Sequence, residues 1–580
     1  MASAQTASRG TTEEMLAARP WLKSYPPTVP AELDEASFGT LVELFRNATR
    51  SFADRPAYES FGKRITYGEF AGAAEAVASW LQAQGLRKGD RVAIMMPNVL
   101  AYPAALFGVL LGGYTVVNVN PLYTPRELTH QLNDAGVRML FVLENFAHVV
   151  EEALPNLKLD AVVVVSPGDL MGFKGKIVNF VSRHVKKAVR PFSLPRTMTF
   201  ASVLAAGRSR KVQPVAVAPD DIAFLQYTGG TTGVAKGAIL THRNVAANVT
   251  QLATWLNGWV STDGEERHVM VVALPLYHIF ALTVCCMMML RIGACGLLIA
   301  NPRDIPGFIK TLKSTRFTMM CGVNTLYNAI ANNPDAKGID FSAMVLSLAG
   351  GMATQAAVAK RWRDLTDKPI VEGYGLSETS PVVCANRLDI EEFTGTIGFP
   401  LPSTEVAIRA PDNGDVPHGE VGELCVRGPQ VMAGYWHRPD ETAKVMTEDG
   451  FFRTGDLAVM GDDGSVRIVD RMKDMVLVSG FNVYPNEVED VLVRHPKVLE
   501  AAVIGLPDEH SGEAVAAYVV RRDESLTEDE LRAYARENLT AYKVPRHVVF
   551  RESLPKTNVG KVLRRELRDQ VIGAKRAEGA

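Results

Sequence analysis

The chain reads as an α/β protein: a large N-terminal domain with doubly wound mixed sheets, followed by a smaller α+β C-terminal domain. Three observations predict this. At 580 residues it is too long for one core. Strand and helix patterns alternate up to about residue 400, the signature of largely parallel strands with helices on both faces. After Gly422 the texture changes to short strands and turns, and the charged run Asp470 to Asp474 separates two of them. The expected division is residues 1–469, a connector at 470–474, and a small domain at 475–580.

The elements follow in order. Thr66 and Glu69 form a capping box opening a helix with Phe70, Ala74, Val77 and Leu81 on its apolar face, and Gly85 can end it. Arg91 to Met96 reads as a strand, Leu100 to Leu111 as a helix, and Thr115 to Val119 as a strand. A second box, Thr124 to Glu127 with Pro125 at the first helical position, starts the helix before the strand Met139 to Leu143. Ile279 to Ala300 approaches membrane-spanning length, but Arg291 and two glycines interrupt it, so it reads as a buried helix and a strand. Beyond Gly422, strands are expected at Gly422 to Arg427, Gly464 to Val469 and Met475 to Val478. A helix at Pro485 to His495, a strand near Ala501 to Gly505 and a helix capped by Thr527 complete the tail.

Sixty-two Lys and Arg against 64 Asp and Glu leave no global charge to attract nucleic acid. Apolar content of 47% with 22% charged residues is that of an ordinary folded protein. The six cysteines form no CxxC pair and sit mostly in apolar runs, which suits a reduced, cytoplasmic setting. Residues 1–10 lack the apolar stretch of an export signal. Between Asp169 and Asp220 there is no acidic residue, while Lys174, Lys176, Arg183, Lys186, Lys187 and Arg190 crowd one segment. Phe173, Ile177, Phe180, Val181, Val185 and Val189 recur there at helical spacing. Residues 170–190 therefore suit either an anionic membrane surface, making the protein peripheral to the membrane, or a helix packed on its own protein.

The chemistry starts at Phe224 to Gly237. An apolar run from Ile222 to Tyr227 opens into Thr228, Gly229, Gly230, Thr231, Thr232 and Gly233, closed by Lys236. Glycines let backbone N–H groups approach an anion, hydroxyls add donors and the lysine adds charge, as a polyphosphate needs. The loop is not a Walker A loop, because Ala235 precedes the lysine and Gly237 follows it. Glu372-Gly-Tyr-Gly-Leu-Ser-Glu378 places an aromatic face at Tyr374, a hydroxyl at Ser377 and a carboxylate at Glu378 on one turn hinged by Gly375: adenine, phosphate and Mg²⁺ partners. Phe452-Arg-Thr-Gly-Asp-Leu457 presents Asp456 after a glycine, as a ribose diol requires. Near the end, Leu554-Pro-Lys-Thr-Asn-Val-Gly-Lys561 sets a lysine after a glycine, ahead of Arg564 and Arg565.

In order and spacing these stretches resemble the AMP-forming adenylating superfamily over nearly the whole chain. Pro-Leu-Tyr-His-Ile-Phe, Gly-Val-Asn-Thr-Leu-Tyr and Val-Ser-Gly-Phe-Asn-Val-Tyr-Pro-Asn-Glu-Val-Glu are most similar to bacterial long-chain fatty-acid–CoA ligases. Ala235 replaces the usual proline and Ser377 the usual threonine, which keeps the hydroxyl. The resemblance implies ATP, coenzyme A and a fatty acid as substrates, with Mg²⁺ held near Thr228 and Glu378. It implies a mobile small domain pivoting at Lys473, with Lys561 and Lys236 catalytic, Gly351 and Arg471 at the nucleotide, Tyr277 and His278 by the acyl carboxylate, and Gly480 and Phe481 facing the pantetheine. The nearest alternative is a fatty-acyl-AMP ligase that loads a carrier protein. A homodimer is left open as an assembly state, and nucleic acid is not an expected partner.

Overall fold

The computed structural model describes residues 12–228, 235–260, 267–508, 510–557 and 560–578. Its large N-terminal domain is built on two mixed sheets. In the first, five parallel neighbours run outward from Ile222–Thr228 through Thr115–Asn118, Arg91–Met95, Val137–Leu143 and Ala161–Val165 to a short edge, Thr197–Thr199; Lys236–Thr241 and Gly434–Tyr435 extend the other edge antiparallel. The second sheet has nine strands. Its parallel centre runs Val371–Gly375, Leu346–Ala349, Met319–Gly322, Val269–Val272, Cys295–Leu298 and Pro56–Ser60, again with antiparallel strands at both ends.

The local reasons are those the sequence carries. Both capping boxes form: Thr66 accepts from the Glu69 N–H, Thr124 from the Glu127 N–H, and each glutamate answers the backbone of its threonine. Strands such as Thr115–Asn118 and Val137–Leu143 are buried almost throughout because helices cover both faces of the sheet. The apolar stretch after His278 is a buried helical run, Ile279 to Arg291 with a wide turn at Leu282–Met287, leading into the strand Cys295–Leu298.

A four-stranded antiparallel sheet, Glu405–Arg409, Gly422–Arg427, Phe452–Met460 and Val466–Arg471, packs on the same core, which runs without a break from Trp21 to Val466. The segment preceding the first sheet straps this assembly together. Trp21 is 1% exposed, and its backbone lies so close to Gly464 that a Cβ there would come within 2.3 Å. The Tyr25 ring stands edge-on to Trp255, and Arg19 bridges Glu32 and Glu405.

The smaller C-terminal domain has its own core around Val476, Leu492, Val503, Val519 and Leu531. Its sheet pairs Val498–Asp508 with Gly512–Arg521 over their whole lengths, and Gly512–Arg521 also takes His547–Arg551 in parallel. The strand Val466–Arg471 ends at the charged run, and Val476–Val478 begins the second core.

Candidate active site

Parallel strands collect their carboxyl ends on one side of a sheet, and ligands bind in the crevice there. Here the ends of both large sheets face one cavity of about 930 Å³. From the first sheet come Asn118, Gln226 and Thr228; from the second, Leu274, Val323, Gly350 and Gly375. The four-stranded sheet contributes Thr454, Gly455 and Arg471, and the small domain Lys556, Thr557 and Lys561.

Most of the sequence-predicted residues meet in this cavity. Thr228, Lys236, Tyr277, His278, Gly351, Tyr374, Gly375, Ser377, Glu378, Arg471 and Lys561 all line it. Gly351 holds a φ of +79° with open space where a Cβ would stand, leaving that wall bare for a planar ligand. Gly375 is required for a different reason: a Cβ would lie 1.9 Å from the Pro381 carbonyl oxygen. Gly229, Gly230, Thr231, Thr232 and Gly233 lie outside the described residues. Lys473, Gly480 and Phe481 do not line the cavity. Lys473 lies just beyond the strand Val466–Arg471, and Phe481 is an exposed ring stacked on Tyr542 in the small domain.

Asp456 is buried behind the cavity wall, opposite Arg471 in the antiparallel register. The Tyr374 hydroxyl donates to its Oδ2 at 2.6 Å, and Arg471 Nε lies 3.1 Å from its Oδ1. Tyrosine, carboxylate and guanidinium thus arrive as one unit. Glu378 is buried too, and the Tyr435 hydroxyl donates to its Oε1 at 2.8 Å; burial pushes this carboxyl above its usual range.

The two lysines differ. Lys236 closes the strand pair at Thr228, forms an ion pair with Glu441 and lies 5.3 Å from the centre of the Tyr435 ring. Glu441 also pairs with Lys444, and these two cations, Lys236 first, hold its carboxyl down to about 2. Lys561 is held down to about 7, chiefly by burial and then by the nearby Arg471 charge. It also stands close enough to His278 to press on that imidazole, which burial lowers to about 4. His278 is therefore neutral near pH 7, and its Nδ1 accepts the Phe280 N–H at 3.4 Å.

The connector is braced by a residue that motif reading passes over. Arg564, three positions after Lys561, grips Glu489 with contacts of 2.8 and 3.0 Å, lies 3.3 Å from Asp474 and 3.9 Å from Asp470, and donates to Asn486 Oδ1 at 2.7 Å. Tyr435, Glu441 and Lys444 likewise carry no motif. The sequence signal available for Arg564 was three carboxylates at 470, 474 and 489 with a basic pair in the tail; for the others the partners are too distant in the chain.

A crevice at strand ends that joins an aromatic face, a buried carboxylate pair and two lysines is built for a phosphorylated nucleotide. The comparisons agree. The model of AMP-binding enzymes matches residues 44–436, and that of the AMP-binding enzyme C-terminal domain matches 487–561, so the chain belongs to this family. A protein of Yersinia pestis named long-chain-fatty-acid–CoA ligase is 52% identical over 95% of this chain and 98% of its own. One of the same name from Bacillus subtilis is 36% identical over 96% and 99%. Among solved structures, ATP-bound MatB from Rhodopseudomonas palustris matches with a TM-score of 0.77 at 28% identity, over 91% of this chain and 98% of that one.

Proposed function

We propose that the protein is a long-chain fatty-acid–CoA ligase, activating a fatty carboxylate as its adenylate and passing the acyl group to coenzyme A. The observation that carries this is the convergence of Lys561 with His278 at a cavity whose other walls hold Lys236, Tyr374 and Glu378. Full-length similarity to enzymes of that name supports the substrate class.

A carboxylate cannot be displaced by a thiol, because its leaving group would be oxide. In the proposed first step the fatty carboxylate attacks the α-phosphorus of ATP, its oxygen forms the new P–O bond, and pyrophosphate leaves. Positioning and charge neutralisation account for most such catalysis. Adenine lies on Tyr374 along the Gly351 wall, with Asp456 and Arg471 at the ribose. Lys236, Ser377 and Thr228 hold the phosphates, a role the sequence extends to the glycines and threonines that follow Thr228. Lys561 faces the reacting oxygens, and its low affinity for a proton in the free enzyme favours a site that becomes fully charged only against anionic substrate. Tyr277 and neutral His278 border the acyl carboxylate.

Mg²⁺ fits the oxygen donors present. Glu378, whose Oε1 accepts from Tyr435, and Thr228 both line the cavity and would hold it. Among the described residues no group of three His, Cys, Asp or Glu side chains could hold a metal ion by itself, so phosphate oxygens and water would complete its shell. When bound, the ion would add charge neutralisation at the phosphates.

In the second step coenzyme A thiolate attacks the adenylate carbonyl and AMP leaves. Gly480 and Phe481 lie off the cavity, which favours a rotation of residues 475–580 against 1–469 about Lys473 to bring them to the thiol path. Mass spectrometry of products from ATP, Mg²⁺, coenzyme A and carboxylates from acetate through coumarate to oleate tests the proposal. Oleoyl-CoA with AMP is expected; acyl-adenylate without thioester would move the protein to the carrier-loading class.

A second observation favours contact with an anionic membrane from the cytoplasmic side. Phe173, Ile177, Phe180 and Val185 are exposed, Phe173 by 77%, beside Lys174, Lys176, Lys186 and Lys187. Arg183 is turned inward to Glu144 at 2.7 Å, anchoring the segment with its apolar face outward. Among the described residues no helix is long and apolar enough to cross a membrane. All six cysteines are buried free thiols, as suits a reducing compartment. Changing the four lysines to Gln should abolish flotation with phosphatidylglycerol vesicles; unchanged flotation would exclude this surface.

A further inference from the structure

At one edge of the cavity, a carboxylate of the protein already holds the lysine that the proposed function gives to the substrate's phosphates. Glu441, on the short helix Pro439–Val445, reaches across to the Lys236 amino group, and its other carboxylate oxygen meets Lys444, one turn further along the same helix. Lys236 and Lys444 both line the cavity. The Lys236 ammonium also stands over Tyr435, whose hydroxyl is committed to Glu378. The chain of contacts from Lys444 through Glu441, Lys236 and Tyr435 to Glu378 therefore spans the edge where the phosphates of a nucleotide would sit.

We propose that Glu441 tunes the affinity of this site for polyphosphate, occupying Lys236 when the site is free and yielding it to ATP or pyrophosphate, with Lys444 retaining the displaced carboxylate. The inference rests on the reading of Lys236 as a phosphate ligand.

The physical argument is one of competition. An arriving polyphosphate brings several negative charges to Lys236, and although the ammonium has three N–H donors, the Glu441 carboxylate held at the same amino group repels the phosphate oxygens. The Lys236–Glu441 pair is partly exposed, with side chains 22% and 23% accessible, so water screens it and it yields readily. Lys444 is 65% accessible and lies on the helix that carries Glu441, so it can swing with the carboxylate as Lys236 lets go. The same contact acts in reverse after adenylation: Glu441 returning to Lys236 helps expel pyrophosphate. At such short range, one screened unit charge changes an equilibrium by a factor of about two to five.

Steady-state kinetics of the full-length enzyme with oleate and coenzyme A, varying ATP and adding pyrophosphate as inhibitor, test this with Glu441→Gln, Lys444→Gln and Lys236→Gln. Glu441→Gln should lower KM for ATP and Ki for pyrophosphate together by about two- to fivefold, with kcat changed less than twofold. Lys444→Gln should move both constants up, since the freed carboxylate is then left to Lys236 alone. A purely structural role for Glu441 would raise KM instead, so an unchanged or raised KM in Glu441→Gln overturns the proposal. Lys236→Gln separates the two levels. If it raises both constants while Glu441→Gln does not lower them, only the competition is wrong. If Lys236→Gln leaves both unaltered, the phosphate reading of that lysine fails with it.

Discussion

Lys236 and Lys561 are the same side chain in opposite surroundings. The first is fixed at the end of a strand pair in the large domain and is already neutralised by Glu441. The second belongs to the small domain and stands half-buried near Arg471 and Lys473, and desolvation followed by these charges weakens its hold on a proton. A lysine already paired with a carboxylate has its charge balanced before any substrate arrives. A desolvated one beside other cations, only partly offset by Asp456, is held at a cost that an incoming anion relieves, which suits it to the moment when negative charge develops.

The sharpest way to break this contrast is Lys561→Ala. Adenylation should fall by about 10²- to 10³-fold, the usual loss for one preorganised charge partner, while thioester formation from supplied acyl-adenylate changes only a few-fold. Equal loss in both half-reactions, measured by pyrophosphate exchange and by thioester release, would mean that Lys561 is not confined to the first step. Arg564→Gln comes next. It strands Asp470, Asp474 and Glu489 together, and leaving buried charge unpaired costs about 3 kcal/mol or more, to be read from urea unfolding of the full chain. Stability within 0.5 kcal/mol of the parent, about the scatter of surface substitutions, would show that the brace is dispensable.

A smaller effect is expected at Lys236→Gln, with KM for ATP raised about tenfold, because a charge-assisted contact is lost where a neutral donor remains. The pH profile sharpens the comparison further. Lys561 is a cation whose hold on its proton is lowered to about 7, so its charged form is complete below that pH and fades above it. Accordingly kcat/KM for ATP should decline as pH rises through about 7, and Arg471→Gln should move that limb to higher pH. Displacement to lower pH would contradict the assigned cause.

Much of the fold was legible because its signals are local. The capping boxes at Thr66 and Thr124 and the apolar run from Ile222 are settled within a few residues, and they form as the spacing predicts. The grouping of strands into two large sheets and a four-stranded one was not legible. Pro56–Ser60, for example, pairs with Cys295–Leu298 far along the chain, and nothing local selects that partner. The basic segment shows a similar limit: helical spacing located its apolar residues but could not say that they face outward, since that depends on Arg183 finding Glu144. In the cavity, motif residues could be nominated one by one, but their wiring could not. The bonds from Tyr374 to Asp456, Tyr435 to Glu378 and Lys236 to Glu441 each join side chains distant in sequence.

Trp21 carries a lesson for anyone trimming the chain. It precedes the span matched by the family model, yet its backbone fills the notch that Gly464 leaves open, and Arg19 nearby is tied to Glu405 in the four-stranded sheet. That sheet is also where Asp456 and Arg471 are mounted. A chain begun at residue 44 would keep every motif and lose the buckle that cinches their mounting to the main body, so a trimmed chain should begin before Arg19.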